Sequence, residues 1–239
     1  DHPGDVVNEN PNEGRDTVYS GITYTLPANV EILTLTGNAA INGTGNNLDN
    51  QIDGNGAANI LDGGAGNDYL YGGAGNDTYV FGRGSGQDTV FNYDSTPGHL
   101  DTVQLGAGIA TTDITISRDF DNFYIKINGS ADKLTVVNWF VSNDYKVEQL
   151  RFDDGTTWNT TVMLAQISET ATSGDDFFAG DSGANTFSGL GGNDTYVVDH
   201  PGDVVNENPN EGWDTVYSSI TYTLPADVEV LQLTGNAGV

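Results

Sequence analysis

Gly63 to Tyr71 reads GGAGNDYLY, and Gly72 to Val80 follows at once with GGAGNDTYV. Each stretch divides into six residues that turn and three that extend. Glycines let the six turn tightly with their carbonyls pointing inward, and the Asp at the sixth place adds a hard anionic oxygen suited to calcium. The last three make a short strand that sends one apolar side chain inside. Self-similarity at so short a fixed period is the mark of a solenoid.

The same register runs outward in looser form. Backwards it gives Gly54 to Asp62 (GNGAANILD) and Gly45 to Asp53 (GNNLDNQID), with Asn59 and Asn50 where the Asp is expected and Leu61 and Ile52 still inward. There the strand survives and the charge is lost. Forwards, Val80-Phe81-Gly82 adds about two residues before Gly84 to Val90 resumes the pattern with Asp88. A second array spans Ala171 to Val197, with Asp176, Asn185 and Asp194 at the acidic place and Phe178, Phe187 and Tyr196 at the apolar one.

Two nonapeptides complete one coil, so loops on the same edge lie eighteen residues apart and coils rise by about 4.8 Å. An ion can sit between stacked loops. One edge is expected to carry Asn50, Asp68 and Asp88, and the other Asn59, Asp77 and Asp94. In the second array Asp176 stacks beneath Asp194, and Asn185 beneath Asp203. Slots bounded by two Asp should bind most tightly, because Asn supplies an oxygen without the charge. Asp68 with Asp88 ranks first, then Asp176 with Asp194.

Composition points the same way. The formal charge is −27, from 34 acidic and 7 basic residues, so the cation-free chain repels itself. Cation binding should therefore double as folding energy. With no cysteine there is neither a disulfide nor a thiolate site, and hard oxygen ligands remain. So acidic a surface is unsuited to nucleic acid. No apolar run approaches the roughly twenty residues that span a bilayer. The first residue falls inside a pattern, so the chain reads as a section of something longer.

Asp1 to Gly37 recurs with few substitutions at Asp199 to Gly235, an offset of 198 residues. That duplication suggests a module repeated in tandem, each copy touching its neighbours. Within it Val204-Val205, Thr215-Val216-Tyr217, Ile220-Tyr222-Leu224 and Val228-Val230-Leu231-Leu233 are β-rich runs broken by Pro, Gly and Asn, and they read as further solenoid coil. Between the arrays the chemistry changes: five of the seven basic residues (Arg118, Lys126, Lys133, Lys146, Arg151) cluster there and alternating runs replace glycine. We expect a small antiparallel β domain without calcium, plugged by Trp139-Phe140 and Trp158, with a helical turn or two at Thr161 to Gln166. The expected architecture is all-β: calcium-binding parallel β-rolls interrupted by that domain. Its divisions are 1–40 (solenoid coils continuing from a preceding repeat), 41–97 (first roll), 98–167 (antiparallel β) and 168–239 (second roll and repeat).

On these motifs the chain resembles the haemolysin-type calcium-binding (RTX) family over residues 41 to 97 and 171 to 205. Asp101 to Met163, with NWF at Asn138 and FDDGTTW at Phe152, is similar to the β-domain that accompanies such repeats. The resemblance implies several calcium ions, each held by backbone oxygens at loop positions two and four plus the Asp at six, and by positions one, three and six of the loop eighteen residues on. Carried over, Gly64, Gly66 and Asp68 face Arg83, Ser85 and Asp88, and Asn55, Ala57 and Asn59 face Gly72, Ala74 and Asp77. Thr172, Gly174 and Asp176 face Gly189, Gly191 and Asp194. Gly73, Gly75, Asp94, Gly192 and Asp203 complete the implied ligand set. The resemblance also implies secretion from a Gram-negative bacterium by the type I route.

Catalytic patterns are weak. Gly180-Asp181-Ser182-Gly183 imitates a serine-protease string but lies inside a nonapeptide, and only His2, His99 and His200 exist to serve as base. Asp153-Asp154 and Asp175-Asp176 read as loop acids and calcium ligands, not as a glycosidase pair. The expected role is that of a non-enzymatic structural or adhesive module of a secreted repeat protein: a stalk, adhesin or fibre. Alternatives are the calcium-binding tail of an extracellular lipase, protease or alginate epimerase, or a carbohydrate-binding module. Partners beyond calcium are then further copies of the module, stacked head to tail, or surface carbohydrate.

Overall fold

The computed structural model describes residues 2, 4–11, 13–167, 171–180 and 182–234. Asp1 and Gly235 at the ends of the duplicated segment, Asp181 of the GDSG string, and residues 168–170, where the last domain is expected to begin, lie outside them. The chain forms two compact units, Asp1–Ile167 and Ser168–Val239. Among the described residues no helix is long and apolar enough to cross a membrane.

In the first unit each repeat contributes one short strand, and successive strands alternate between two sheets. They are β1 (Thr17–Ser20), β2 (Tyr24–Thr25), β3 (Ile32–Leu35), β4 (Gly43–Thr44), β5 (Gln51–Asp53), β6 (Ile60–Asp62), β7 (Tyr69–Tyr71), β8 (Thr78–Phe81), β9 (Gln87–Val90) and β10 (Thr102–Leu105). β11 (Ile114–Arg118), β12 (Phe123–Ile127), β13 (Lys133–Val136), β14 (Gln149–Arg151) and β15 (Thr157–Asn159) follow, then helix α1 (Thr160–Ala165). One sheet runs β1-β3-β5-β7-β9-β13-β12-β11 and the other β15-β14-β10-β8-β6-β4-β2.

The eighteen-residue spacing appears as parallel register: Ile52 opposes Leu70, and Leu61 opposes Tyr79. Leu70 opposes Val90, a step of twenty, as the inserted residues require. These side chains form two inward ladders with no solvent exposure. Each such burial is worth about 1.5–3 kcal/mol.

The antiparallel strands expected after residue 98 are present, but they do not interrupt the solenoid as a separate sheet. β13 pairs parallel with β9, and β10 and β14 extend the other sheet in parallel from β8. The antiparallel pairs among the described residues are β11–β12, β12–β13 and β14–β15. The physical reason is the edge: β8 and β9 would otherwise offer unpaired backbone groups, and the segment caps them. Its core holds Trp139, stacked on Phe123 at 4.9 Å between ring centroids, with the indole N–H donating to the Val147 carbonyl at 3.2 Å. α1 begins on Asn159, whose side chain accepts the Val162 N–H, and buries Met163.

The second unit contains β16 (Phe177–Phe178), β17 (Thr186–Ser188), β18 (Thr195–Val198), β19 (Val204–Asn206), β20 (Thr215–Ser218) and β21 (Val230–Leu233). β16-β18-β20-β21 form one parallel sheet and β17-β19 another, around Phe178, Phe187, Tyr196 and Val216. The duplicated segment folds as coil in both places: Thr17 opposes Ile32 as Thr215 opposes Val230. Val204 to Asn206 pairs with β17, and residues 6–8 form no strand.

Candidate metal centres in the stacked loops

Loops on one edge approach until side chains no longer fit between them. Gly66 has a left-handed φ of +139°, and a Cβ built there would lie 2.5 Å from the Leu48 carbonyl oxygen of the loop below. A Cβ on Gly189 would lie 1.8 Å from Asp194 Oδ2. Glycine is required at both, because the carboxylate and the neighbouring carbonyl occupy the space.

The acidic residues form ladders. Asn50 N–H donates to Asp68 Oδ1 at 2.7 Å, and Asp68 N–H to Asp88 Oδ1 at 3.0 Å. On the other edge Asn59 N–H donates to Asp77 Oδ1 at 2.8 Å. In the second unit Asp176 N–H donates to Asp194 Oδ1 at 2.8 Å, and Asn185 N–H to Asp203 Oδ1 at 2.9 Å. One oxygen of each carboxylate thus fixes the coil below.

The other oxygen has no protein partner at three rungs. Asp68, Asp77 and Asp194 each bury Oδ2 without a hydrogen bond. Burial pushes the Asp68 and Asp194 carboxyls up to about 6, and those of Asp77 and Asp88 to about 7, with nearby carboxylates adding to the rise. A buried, orphaned anionic oxygen is costly. A hard divalent cation between coils removes that cost, and an all-oxygen donor set suits calcium.

Residues 44–79, 53–90 and 170–199 match the model of the RTX calcium-binding nonapeptide repeat (4 copies), and residues 122–161 match that of the haemolysin-type calcium binding protein related domain. The chain carries RTX calcium-binding repeats. It is 35% identical over 116 residues to the iron-regulated protein FrpA of Neisseria meningitidis serogroup C, an alignment covering 47% of this chain and 10% of that protein. The extracellular lipase LipA of Serratia marcescens, a solved structure, aligns over 93% of this chain and 35% of its own at 15% identity, with a TM-score of 0.23. The chain therefore spans a small part of either relative.

Within the RTX rolls most of the expected loops face each other. The Gly66 N–H donates to the Ser85 carbonyl at 3.1 Å, which brings the Gly64 to Asp68 loop against Arg83 to Asp88. The Arg83 guanidinium itself turns to Asp113, 3.9 Å away. Gly73 and Gly75 lie over Asn55 and Ala57: built Cβ atoms there would approach the Asn55 oxygen at 2.6 Å and the Ala57 carbonyl carbon at 2.8 Å. Tyr79 Oη accepts the Gly72 N–H above the same slot. In the second unit Thr172 bridges Leu190, and Gly192 lies over Gly174. Leu190 adopts a φ of +74°, where the perfect nonapeptides place glycine.

Two expectations change. Asp94 is not the rung above Asp77: the Asp77 N–H donates to Asp101 Oδ1 at 2.7 Å, while Asp94 accepts the Gly75 N–H from the side. A twenty-four-residue excursion brings Asp101 into place, which no nine-residue register could show. Asp203 does stand above Asn185, yet its Oδ2 already accepts the Asp199 and His200 N–H groups. It lacks the orphaned oxygen that marks Asp68, Asp77 and Asp194. His2 and His200 each accept a turn N–H, from Gly4 and Gly202.

The Asn rungs solve the same problem without charge. Asn46 Nδ2 donates to the Pro27 and Val30 carbonyls, both at 2.7 Å, and Asn59 Nδ2 donates to the Ile41 carbonyl at 2.6 Å. Amide protons stand where an ion would otherwise draw those oxygens together. Sequence reasoning missed Asn46, and it missed the acids that close the ladders. Asp132 accepts the Gly84 and Gly86 N–H groups, both at 3.0 Å, and Glu148 accepts the Asp101 N–H at 2.7 Å. Asp214 accepts the Asp194 N–H at 2.8 Å. A signal for Asp214 existed, since Asp214-Thr215-Val216 repeats Asp88-Thr89-Val90.

Proposed function

We propose that this chain is a calcium-folded structural module of a large secreted bacterial repeat protein, built to give length and stiffness to a surface stalk, adhesin or fibre. The observation that carries it is the set of three buried, partnerless carboxylate oxygens at Asp68, Asp77 and Asp194. In this reading one ion sits between Gly64, Gly66, Asp68 and Arg83, Ser85, Asp88, and one between Asn55, Ala57, Asn59 and Gly72, Ala74, Asp77. Another sits between Thr172, Gly174, Asp176 and Gly189, Gly191, Asp194. The module itself is not the catalyst, and 41–97 and 168–239 are its calcium-bearing domains.

Charge supports an extracellular site of action. At −27 the cation-free chain repels itself, and cytosolic free calcium lies far below the roughly 10⁻⁴–10⁻³ M at which extracellular modules are tuned. Such a chain stays unfolded within a cell and folds once outside. The near-identical segments 198 residues apart support a repetitive parent, because stacked modules add length one unit at a time.

Circular dichroism and calorimetric titration with calcium test this. The chain should gain its β signal only as calcium is added, and Asp68→Ala and Asp194→Ala should each bind fewer ions and need more calcium to fold. A full β signal in excess chelator, or ion counts unchanged in both variants, overturns the reading.

A further inference from the structure

The second unit has an acidic cluster that the nonapeptide pattern does not explain. Asp194, Glu207 and Asp214 each bring a carboxylate oxygen within 4.8 Å of the other two. Asp194 closes a nonapeptide loop, whereas Glu207 and Asp214 belong to the duplicated segment that follows. Asp194 and Asp214 are each only 1% exposed. From Ser168 to the last residue there is no Lys or Arg, so no side-chain cation of this segment other than His200 can neutralise them.

The hydrogen bonds leave a gap aimed at one point. Asp194 spends Oδ1 on the Asp176 N–H, and its own N–H on Asp214 Oδ1, both at 2.8 Å. The Tyr196 phenol donates to Glu207 Oε1. Asp194 Oδ2 and Glu207 Oε2 are then buried with no partner.

The first unit contains a similar arrangement, in which Asn92 stands where Glu207 does and His99 Nδ1 lies 3.0 Å from Asp101 Oδ2. Tyr79 stands two residues after Asp77 as Tyr196 stands two after Asp194, and Asp101 receives the Asp77 N–H as Asp214 receives that of Asp194. The Tyr79 phenol, however, donates to Asn92 Oδ1 at 2.5 Å, and Asn92 Nδ2 donates onward to Asp101 Oδ2 at 2.8 Å. An amide accepts and donates; the carboxylate of Glu207 can only accept. What Asn92 supplies as a proton must reach Glu207 as a cation.

We infer that Asp194, Glu207 and Asp214 hold a hard divalent cation, calcium in the extracellular medium, with Glu207 as a side-chain ligand from outside any nonapeptide. The site rests on the calcium reading above and deepens it. It places an ion at the joint between a nonapeptide roll and the longer coils of the duplicated segment, so the joint stiffens with the roll. Glu9 and Asp16 repeat Glu207 and Asp214 in the first copy, where Asp16 Oδ2 is likewise buried and partnerless.

Glu207→Gln in the full chain, titrated with calcium by calorimetry and with terbium by tyrosine-sensitised luminescence, tests the assignment. The expected result is one ion fewer than the parent chain and a loss of the terbium emission sensitised through Tyr196, with Glu207→Asp retaining the ion. An unchanged ion count and emission overturn it. If Glu207→Gln loses the fold of the unit and more than one ion with it, Glu207→Asp decides: restored binding supports the site, and failure to restore it overturns it. A parent chain that binds no calcium at all sinks the broader reading instead.

Discussion

The aspartate rungs and the asparagine rungs of the first roll occupy equivalent places and hold their coils by opposite means. Asn50 and Asn59 lie at one end of the ladders, and with Asn46 and Asn55 their amides reach carbonyls of the preceding coil. Asp68 and Asp77 stand one coil further on and bury an oxygen that nothing in the protein satisfies. The first kind is complete as the chain folds; the second is complete only with an ion. The apolar ladder is common to both, since Ile52, Leu61, Leu70 and Tyr79 are equally buried. On the reading proposed above, calcium dependence belongs to the loops and not to the core.

The largest effect that could break this contrast comes from pH in the absence of calcium. Folded Asp68 and Asp194 titrate near about 6, and Asp77 and Asp88 near about 7, all above the ordinary 3.8. Between about pH 4 and 7 the folded state then binds more protons than the unfolded one, so stability falls as pH rises through that window. In chelator the chain should be unfolded at pH 8, and acidification to pH 5 should recover part of its β signal. Excess calcium should cancel that slope, because the ion needs the ionised carboxylates. A chelated chain with the same β signal at both pH values would remove the distinction between the rungs.

A smaller effect is expected at the uncharged end. Asn46→Ala leaves the Pro27 carbonyl without its donor and the Val30 carbonyl with Asn50 Nδ2 alone, and should cost about 1–3 kcal/mol in urea melts. That loss should be the same at every calcium concentration at which the chain is folded. Dependence on calcium would show an ion between the Asn46 loop and the coil before it.

The smallest change sharpens the comparison most. Asn59→Asp replaces the donor to Ile41 O by an acceptor, so calorimetry should find a new, weak calcium site. The variant should be less stable than the parent in low calcium and approach it at millimolar levels, the range of extracellular modules. An unchanged ion count would mean that the slot below Asn59 is closed to metal by its shape.

Much of the site was legible because its parts are local. Asp68, Asp77 and Asp194 sit inside unbroken nonapeptides, and their stacking partners on the preceding coil, Asn50, Asn59 and Asp176, follow from counting eighteen residues. Asp88 could be found because its insertion is short. Asp101, Asp132, Glu148 and Glu207 could not, because each arrives after a connection whose length the period does not govern. A backbone N–H at the end of a ladder donates to any carboxylate placed about 3 Å away. Which one arrives depends on how the intervening chain packs. The capping of the roll by residues 98–167 was hidden for a related reason: alternating runs disclose strands, not the sheet edge that recruits them.

By itself the sequence determined the coil: its period, its inward ladder, the charge that makes the loops repel, and the oxygens that a cation must satisfy. Those properties live within nine or eighteen residues, where glycine conformations and side-chain alternation dictate geometry. Only the tertiary structure decided where each ladder stops, and whether an amide, a carboxylate or an ion completes it. Those choices depend on donors and acceptors far apart in the chain, and distance in space is what pairs them.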